Sequence, residues 1–408
     1  MIGAVILIAF YSFIANAIIT SLKANRRYID VQLMSKLFWF HYLMSTVYFI
    51  YVLFNRSDSY GYYDRAESFS GAWFNAYTTG TKFIDFVAIP FVQYLGFSYE
   101  MMMATFAFFG YLGFVFFYLF FKENIKYKHT LFGYDILLLL LFLPNMHFWT
   151  GSLGKGSLIF MGLGMATYGM SNFKKNFSYL IIGLLIVFHI RAHVFLFMSA
   201  GMGAGYFFGA NTKIPSWQKY LAVVVIIAGV GLLYNTILNS VGLDTENVIE
   251  SFDKMSAKRA GDLSRNSGSG VDISNYPIPL KLFTFWYRPL FVDSPNVLGI
   301  IISLENTIYL MLTAKLFKGN FLPWFAKGSA NVKACLLIFL LSSFALSTTM
   351  SNLGIIQRQK SMVMYFLFFV ILSFLDHNEA KRKATQASIR RRIRNLPSPM
   401  QEQRVPTT

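Results

Sequence analysis

Apolar residues run through this chain in long blocks separated by polar connections. A helical bilayer crossing needs about 20 mostly apolar residues, and blocks near that length fall at 2–22, 37–54, 98–121, 134–150, 156–172, 178–190, 194–210, 220–238, 296–314, 334–350 and 361–376. This pattern, with no internal repeat and no soluble domain, predicts an all-α, polytopic transmembrane helical bundle of about 11 spans over 1–376. The first block has no basic leader and no small-residue cleavage site, so it reads as a membrane helix rather than a removed signal peptide. Residues 377–408 read as a basic, disordered tail.

The connections alternate in character. Those carrying Lys23, Arg26, Arg27 and Lys36, then Lys122, Lys126 and Lys128, Lys174 and Lys175, Lys213 and Lys219, and finally Lys315, Lys318, Lys327 and Lys333 are short and basic. The positive-inside rule places them, and the tail with Lys381, Arg382, Lys383 and Arg390 to Arg394, in the cytoplasm. The other connections are tight, or long and rich in Ser, Gly, Tyr and Asp, and they are expected outside together with the N-terminus. Two short runs meet at Arg191-Ala192-His193. A helix break is expected there, because one continuous helix would put Lys213 and Lys219 on the wrong side.

The longest polar insertion, 239–293, is expected on the outer side. Val248, Ile249, Phe252 and Met255 share one face of a helical 246–260, which suits an amphipathic helix lying on the membrane surface. Residues 261–279 are rich in Gly, Ser and Asn and read as a mobile loop. A second amphipathic piece is expected at 82–97, interrupted by Pro90.

Composition excludes the soluble classes. Of 408 residues 55% are hydrophobic and only 13% charged, about half the charge of an ordinary soluble domain and too apolar for disorder. A net charge of +17 alone would raise nucleic acid as a partner. Divided by the expected topology, the cytoplasmic side holds 23 Lys and Arg against six acids, and the outer side 13 against 13. The excess is therefore a topology signal, no nucleic acid is expected, and the tail can lie on anionic lipid. Cys335 is the lone cysteine, so no intrachain disulfide forms.

Polar groups at membrane depth are costly and are functional candidates by default; here they collect on the expected outer side. The first outer loop, Arg56 to Arg65, sets Asp58 and Asp64 among tyrosines. Rings stack on sugar C–H faces, and carboxylates accept hydroxyl hydrogen bonds or act as general bases. The bland alternative is an aromatic belt with Asp64 and Arg65 simply solvated. Gly154-Lys155-Gly156-Ser157 lacks the GxxxxGK[ST] spacing and a preceding strand, so a nucleotide site is rejected. It can still aim backbone N–H groups and the Lys155 ammonium at an anion, or Lys155 can snorkel. Arg191 and His193 stand in apolar surroundings, where an arginine calls for a partner across the fold or an anionic ligand; a turn at the interface reaching headgroups is the alternative. His189 and His193 have helical metal-ligand spacing but no third ligand, so neither a metal nor a cofactor is expected. Arg259, Arg265, Arg288, Arg358 and Lys360 complete the outer cations, matched to phosphate by the planar arginine fork or merely solvated. Glu305 and Asp135 fall inside or beside apolar blocks and would suit a proton-coupled transporter, or Glu305 pairs with a buried arginine.

The chain resembles the bacterial O-antigen and exopolysaccharide repeat-unit polymerases, integral membrane proteins of type C glycosyltransferase-like fold. The likeness covers nearly the whole chain as architecture. Its local motifs are Asp58-Ser-Tyr60-Gly-Tyr62-Tyr63, Leu143-Pro144-Asn145-Met146-His147-Phe148-Trp149 followed by Gly154-Lys155-Gly156-Ser157, Arg191-Ala192-His193, and Gln357-Arg358-Gln359-Lys360. Related sequences often have Arg-Pro-His where this one has Arg191-Ala192-His193. The resemblance implies an outward cavity in which a polyprenyl-pyrophosphate-linked glycan is joined to a sugar hydroxyl, with other polysaccharide-assembly membrane proteins as partners. Arg191, Arg288 and Arg358 would then stabilise the pyrophosphate leaving group with help from Lys155, Asp58 or Asp64 would orient or deprotonate the attacking hydroxyl with His193 as an alternate base, and 239–293 would serve as a lid. The competing readings are a polyprenyl-monophosphate-sugar transferase adding one residue and a lipid-linked glycan flippase. A membrane O-acyltransferase fits less well, since it would want its histidine on the cytoplasmic side.

Overall fold

The computed structural model describes residues 1–55, 57–210, 217, 220, 224, 276–293, 297–349 and 352–394. Arg56, Arg259, Arg265, the apolar run at 220–238, the expected surface helix at 246–260 and the loop from 261 to 275 lie outside the described residues, apart from single positions of that run. The described chain is mostly helical: α1 Ile2–Asn25, α2 Val31–Phe54, α3 Asp58–Glu67, α4 Phe83–Ile89, α5 Tyr99–Asn124, α6 Ile136–Leu141, α7 Pro144–Thr150, α8 Lys155–Ser171, α9 Phe173–Ile190 and α10 Ala192–Phe208. After the gap come α11 Ile278–Tyr287, α12 Val297–Ala314, α13 Phe321–Ala326, α14 Ala330–Thr349, α15 Leu353–Lys360 and α16 Met364–Arg394.

Six of these helices are long and apolar enough to cross a membrane, or seven if α15 and α16, bent by 56° at their junction, count as one broken span. The chain is thus a membrane protein. The apolar block at 134–150 divides into α6 and α7, because Pro144 has no N–H to continue a helix and sits in the first turn of the next one. Arg191 has extended backbone angles, φ −148° and ψ 86°, and separates α9 from α10 where the break was expected. Local capping sets other starts: Asp30 accepts the Leu33 N–H at α2 and Asn352 accepts those of Gly354 and Ile355 at α15.

Aromatic residues fill the centre, with the rings of Phe114, Phe117, Phe160 and Tyr365 packed together between α5, α8 and α16. Close approach of α8 and α9 depends on small residues; a Cβ on Gly183 would lie 2.4 Å from the Ala166 nitrogen.

Polar contacts give the bundle two distinct ends. At one, Arg26 and Tyr28 reach Glu123, Asn331 donates to Asn124, and Asp376 accepts the N–H groups of Lys126 and Tyr127. At the other, Ser59 meets Tyr99, Tyr77 meets His189 and Arg358 meets Asp58. The described basic connections therefore share one end and the Asp58 region occupies the opposite one. The piece expected at 82–97 forms α4, interrupted at Pro90, with Ile84, Ala88 and Ile89 buried and Thr81 and Lys82 exposed.

Candidate functional site

The aromatic outer loop is largely helical. Ser57 accepts the Ser59 N–H and starts α3, after which Asp58, Gly61, Tyr62 and Arg65, spaced by three, four and seven residues, share one helical face. With Ser57, Thr81 and Lys155 they wall a cavity of about 400 Å³. Arg358 reaches this face from α15: its Nη1 donates to Asp58 Oδ2 at 2.9 Å. The same guanidinium lies 6.0 Å from the centre of the Trp149 ring, at the limit of cation–π range.

Gly154 lets the start of α8 enter. Its φ of +155° and ψ of −169° fall in a region that side chains strongly disfavour, and a Cβ there would stand 3.4 Å from the Tyr62 ring and 3.9 Å from Arg358 Nη2. Lys155 follows, and its Nζ donates to Thr81 Oγ1 at 3.1 Å. Burial, then the charges of Arg191 and Arg358, lower its pKa to about 8 against the opposing pull of Asp58. Two arginines from distant parts of the chain thus act on Lys155 beside the Asp58 carboxylate. The Asp58 side chain is 62% exposed, leaving it open to a ligand.

Two further contacts hold α3 in place. Arg65 donates to both oxygens of Asp85, at 2.8 and 3.0 Å, joining α3 to α4. Its guanidinium also covers the Tyr62 ring at 5.1 Å. Burial and then Asp58 push the Tyr62 phenol up to about 12, so it stays protonated. Tyr60 stacks on Tyr99 with centres 4.3 Å apart.

Of the residues singled out in the sequence, Asp58, Lys155 and Arg358 come together, and Arg191 lies near enough for its charge to act on Lys155. Asp64 is exposed on another face of α3 and does not line the cavity. His193 stands in the first turn of α10, its ring near Phe197. Arg288 donates to both oxygens of Asp293, and that pairing holds the Asp293 carboxyl below its usual range. The Arg288 carbonyl accepts from Gln357 Nε2 at 2.8 Å and from Lys360 Nζ at 3.0 Å. Lys360 is fully buried and also donates to Asn306 Oδ1 at 2.6 Å. Arg288 and Lys360 therefore anchor α15, which carries Arg358, and neither lines the cavity.

The expected arginine partner of Glu305 is corrected: its carboxylate accepts the Asn145 N–H at 2.7 Å and the Tyr309 hydroxyl at 3.2 Å, because α12 faces the α7 terminus there rather than an arginine. Asp135 caps α6 by accepting the Leu137 N–H. Among the described residues no cluster of three or more His, Cys, Asp or Glu side chains could hold a metal.

Sequence reading gave Arg65 no role of its own, with solvation as the bland alternative, and did not single out Ser57, Gly61, Thr81 or Asp85. The Ser57-Asp58 cap followed by the three, four and seven spacing was a usable signal for α3. Thr81 and Asp85 carry none, since only the return of α4 against α3 brings them in.

A carboxylate open to solvent and flanked by arginine and lysine can accept a hydroxyl proton while the cations hold a phosphate. No protein-family model matches this chain, nor does any curated protein or solved structure.

Proposed function

We propose that the chain is a membrane glycosyltransferase that polymerises lipid-linked oligosaccharide repeat units on the outer face of a bacterial cytoplasmic membrane. The observation that carries this reading is the pairing of Asp58 with Arg358 beside Lys155 at the membrane-protein end opposite the basic connections. In this reading the bundle has about eleven crossings and a type C glycosyltransferase-like fold, with the N-terminus outside and the basic tail in the cytoplasm.

A pyrophosphate entering the cavity competes with Asp58 for Arg358. Asp58 is thereby released to take the proton of an acceptor sugar hydroxyl as its oxygen attacks the anomeric carbon. The bond from that carbon to the pyrophosphate oxygen breaks, and the charge developing on the leaving group is held by Arg358, Lys155 and Arg191. Tyrosine rings of α3 offer faces to the sugars. Arg288 and Lys360 contribute by fixing α15.

The test is purified protein in lipid vesicles with a polyprenyl-pyrophosphate-linked repeat unit. A ladder of extended products supports polymerisation; addition of one sugar from a polyprenyl-monophosphate donor would assign the single-residue reaction instead. Glycan crossing the bilayer with no new bond would assign a flippase and overturn the proposal.

A further inference from the structure

A second cavity lies at the opposite end of the bundle, among the basic connections, and takes no part in the chemistry above. It measures about 550 Å³ and lies between α13, the start of α14 and the middle of α16. Trp324, Val332 and Phe369 give it an apolar side. Lys327, His377 and Lys381 give it a basic one, with Asn320, Ser329 and Ser373 adding polar groups.

The neighbouring charges are committed elsewhere. Arg382 and Lys383 both pair with Glu379, and Lys383 also covers the Tyr127 ring at 4.1 Å. Of three consecutive basic residues on α16, the one that lines the cavity is thus the one with no carboxylate partner among the described residues. Lys327 has none either. The acid on the wall, Asp376, has its Oδ1 occupied by the N–H groups of Lys126 and Tyr127, at 3.0 and 2.7 Å, with His129 Nε2 at 3.4 Å. The wall thus carries one carboxylate, held by those N–H groups, against Lys327, His377 and Lys381, and is basic on balance beside its apolar side.

We propose that this cavity binds a phosphate group at the membrane edge, with Lys327 and Lys381 as its charged contacts and Trp324 packing against the organic part of the ligand. Two exposed lysines lining one cavity suit a phosphate, and basic pockets between membrane helices hold anionic headgroups. Lipid phosphate and free phosphate share this chemistry. The site takes only His377 and Lys381 from the basic segment after residue 376, and the charges from Arg390 onward lie beyond the cavity lining.

Retention of phosphatidylglycerol against phosphatidylcholine by the purified full chain in detergent, measured by native mass spectrometry, tests the proposal. Phosphatidylglycerol should be retained at least tenfold better, and K327Q/K381Q should erase the preference, whereas R390Q/R391Q/R392Q keeps it. Both lysines are exposed, so the double variant should match the parent in thermal midpoint without lipid. Inorganic phosphate and glycerol phosphate form the second arm. Binding of these as tight as the lipid, lost in the same double variant, assigns a free phosphate ligand and supports the site. Equal retention by parent and double variant in every arm overturns it, as does a preference lost only in the tail variant.

Discussion

Arg358 and Asp58, 300 residues apart in the chain, form an ion pair with a separation of 2.9 Å, and Asp58 is part of the wall of a cavity. The carboxylate is largely exposed and the guanidinium about one-quarter exposed. Pairs so exposed contribute about 1 kcal/mol or less to stability. Arg358→Ala should therefore leave folding nearly intact while lowering glycosyl transfer about 100- to 1,000-fold, the loss typical of removing one stabiliser of developing charge. Thermal midpoint and rate measured on the same preparation check both halves.

Lys155 sets an expected pH dependence. Its pKa is lowered to about 8, so the cation is present below that pH and lost above it. The second-order rate constant should fall as pH rises through 8. A bound anionic substrate favours the protonated amine, so the fall in the saturated rate should lie at higher pH. Lys155→Arg keeps its charge and should remove the fall near 8 from the second-order profile and the later fall from the saturated rate; the same alkaline falls in that variant would assign them to another group.

Gly154→Ala introduces a Cβ at φ +155°, facing Tyr62 and Arg358. The backbone cost should be about 1–3 kcal/mol, and displacement of the Arg358 guanidinium should lower activity further. Comparison with Gly133→Ala, where φ is also positive but no atom lies within 4 Å, separates strain from site damage: only the Gly154 variant should lose activity beyond its loss of stability.

Arg65→Leu leaves the buried Asp85 carboxylate without its two charge-assisted hydrogen bonds. The expected cost is about 1–3 kcal/mol, read as a lower thermal midpoint, with α3 loosened and activity reduced through it. Asp85→Leu in the same chain should recover stability, since no unpaired carboxylate then remains, without restoring full activity.

Much of the architecture was legible because membrane burial writes itself in composition. Among the described residues the long apolar blocks became helices, and the described basic connections gathered at one of the two polar ends of the bundle. The break at Arg191 followed from the basic residues after it. The division of 134–150 at Pro144 was visible in principle but hidden by block length. The site was only half legible. Asp58 stood out as a carboxylate among tyrosines, Lys155 in a Gly/Ser turn and Arg358 among the outer cations, but nothing local distinguishes Arg358, which meets Asp58, from Lys360, which is buried against Asn306 and the Arg288 carbonyl. Two residues apart on a short helix they face different ways, and the packing of α15 decides which one meets Asp58.

The most direct measurement is product formation by purified wild-type and Asp58→Asn protein from a polyprenyl-pyrophosphate-linked repeat unit, with released polyprenyl pyrophosphate counted against new glycosidic bonds. The wild type should yield a ladder with one pyrophosphate released per bond, and Asp58→Asn should slow extension about 100- to 10,000-fold, the usual contribution of a general base, while still binding the lipid-linked glycan. Extension by Asp58→Asn at the wild-type rate, or no bond formation by the wild type, would contradict the account.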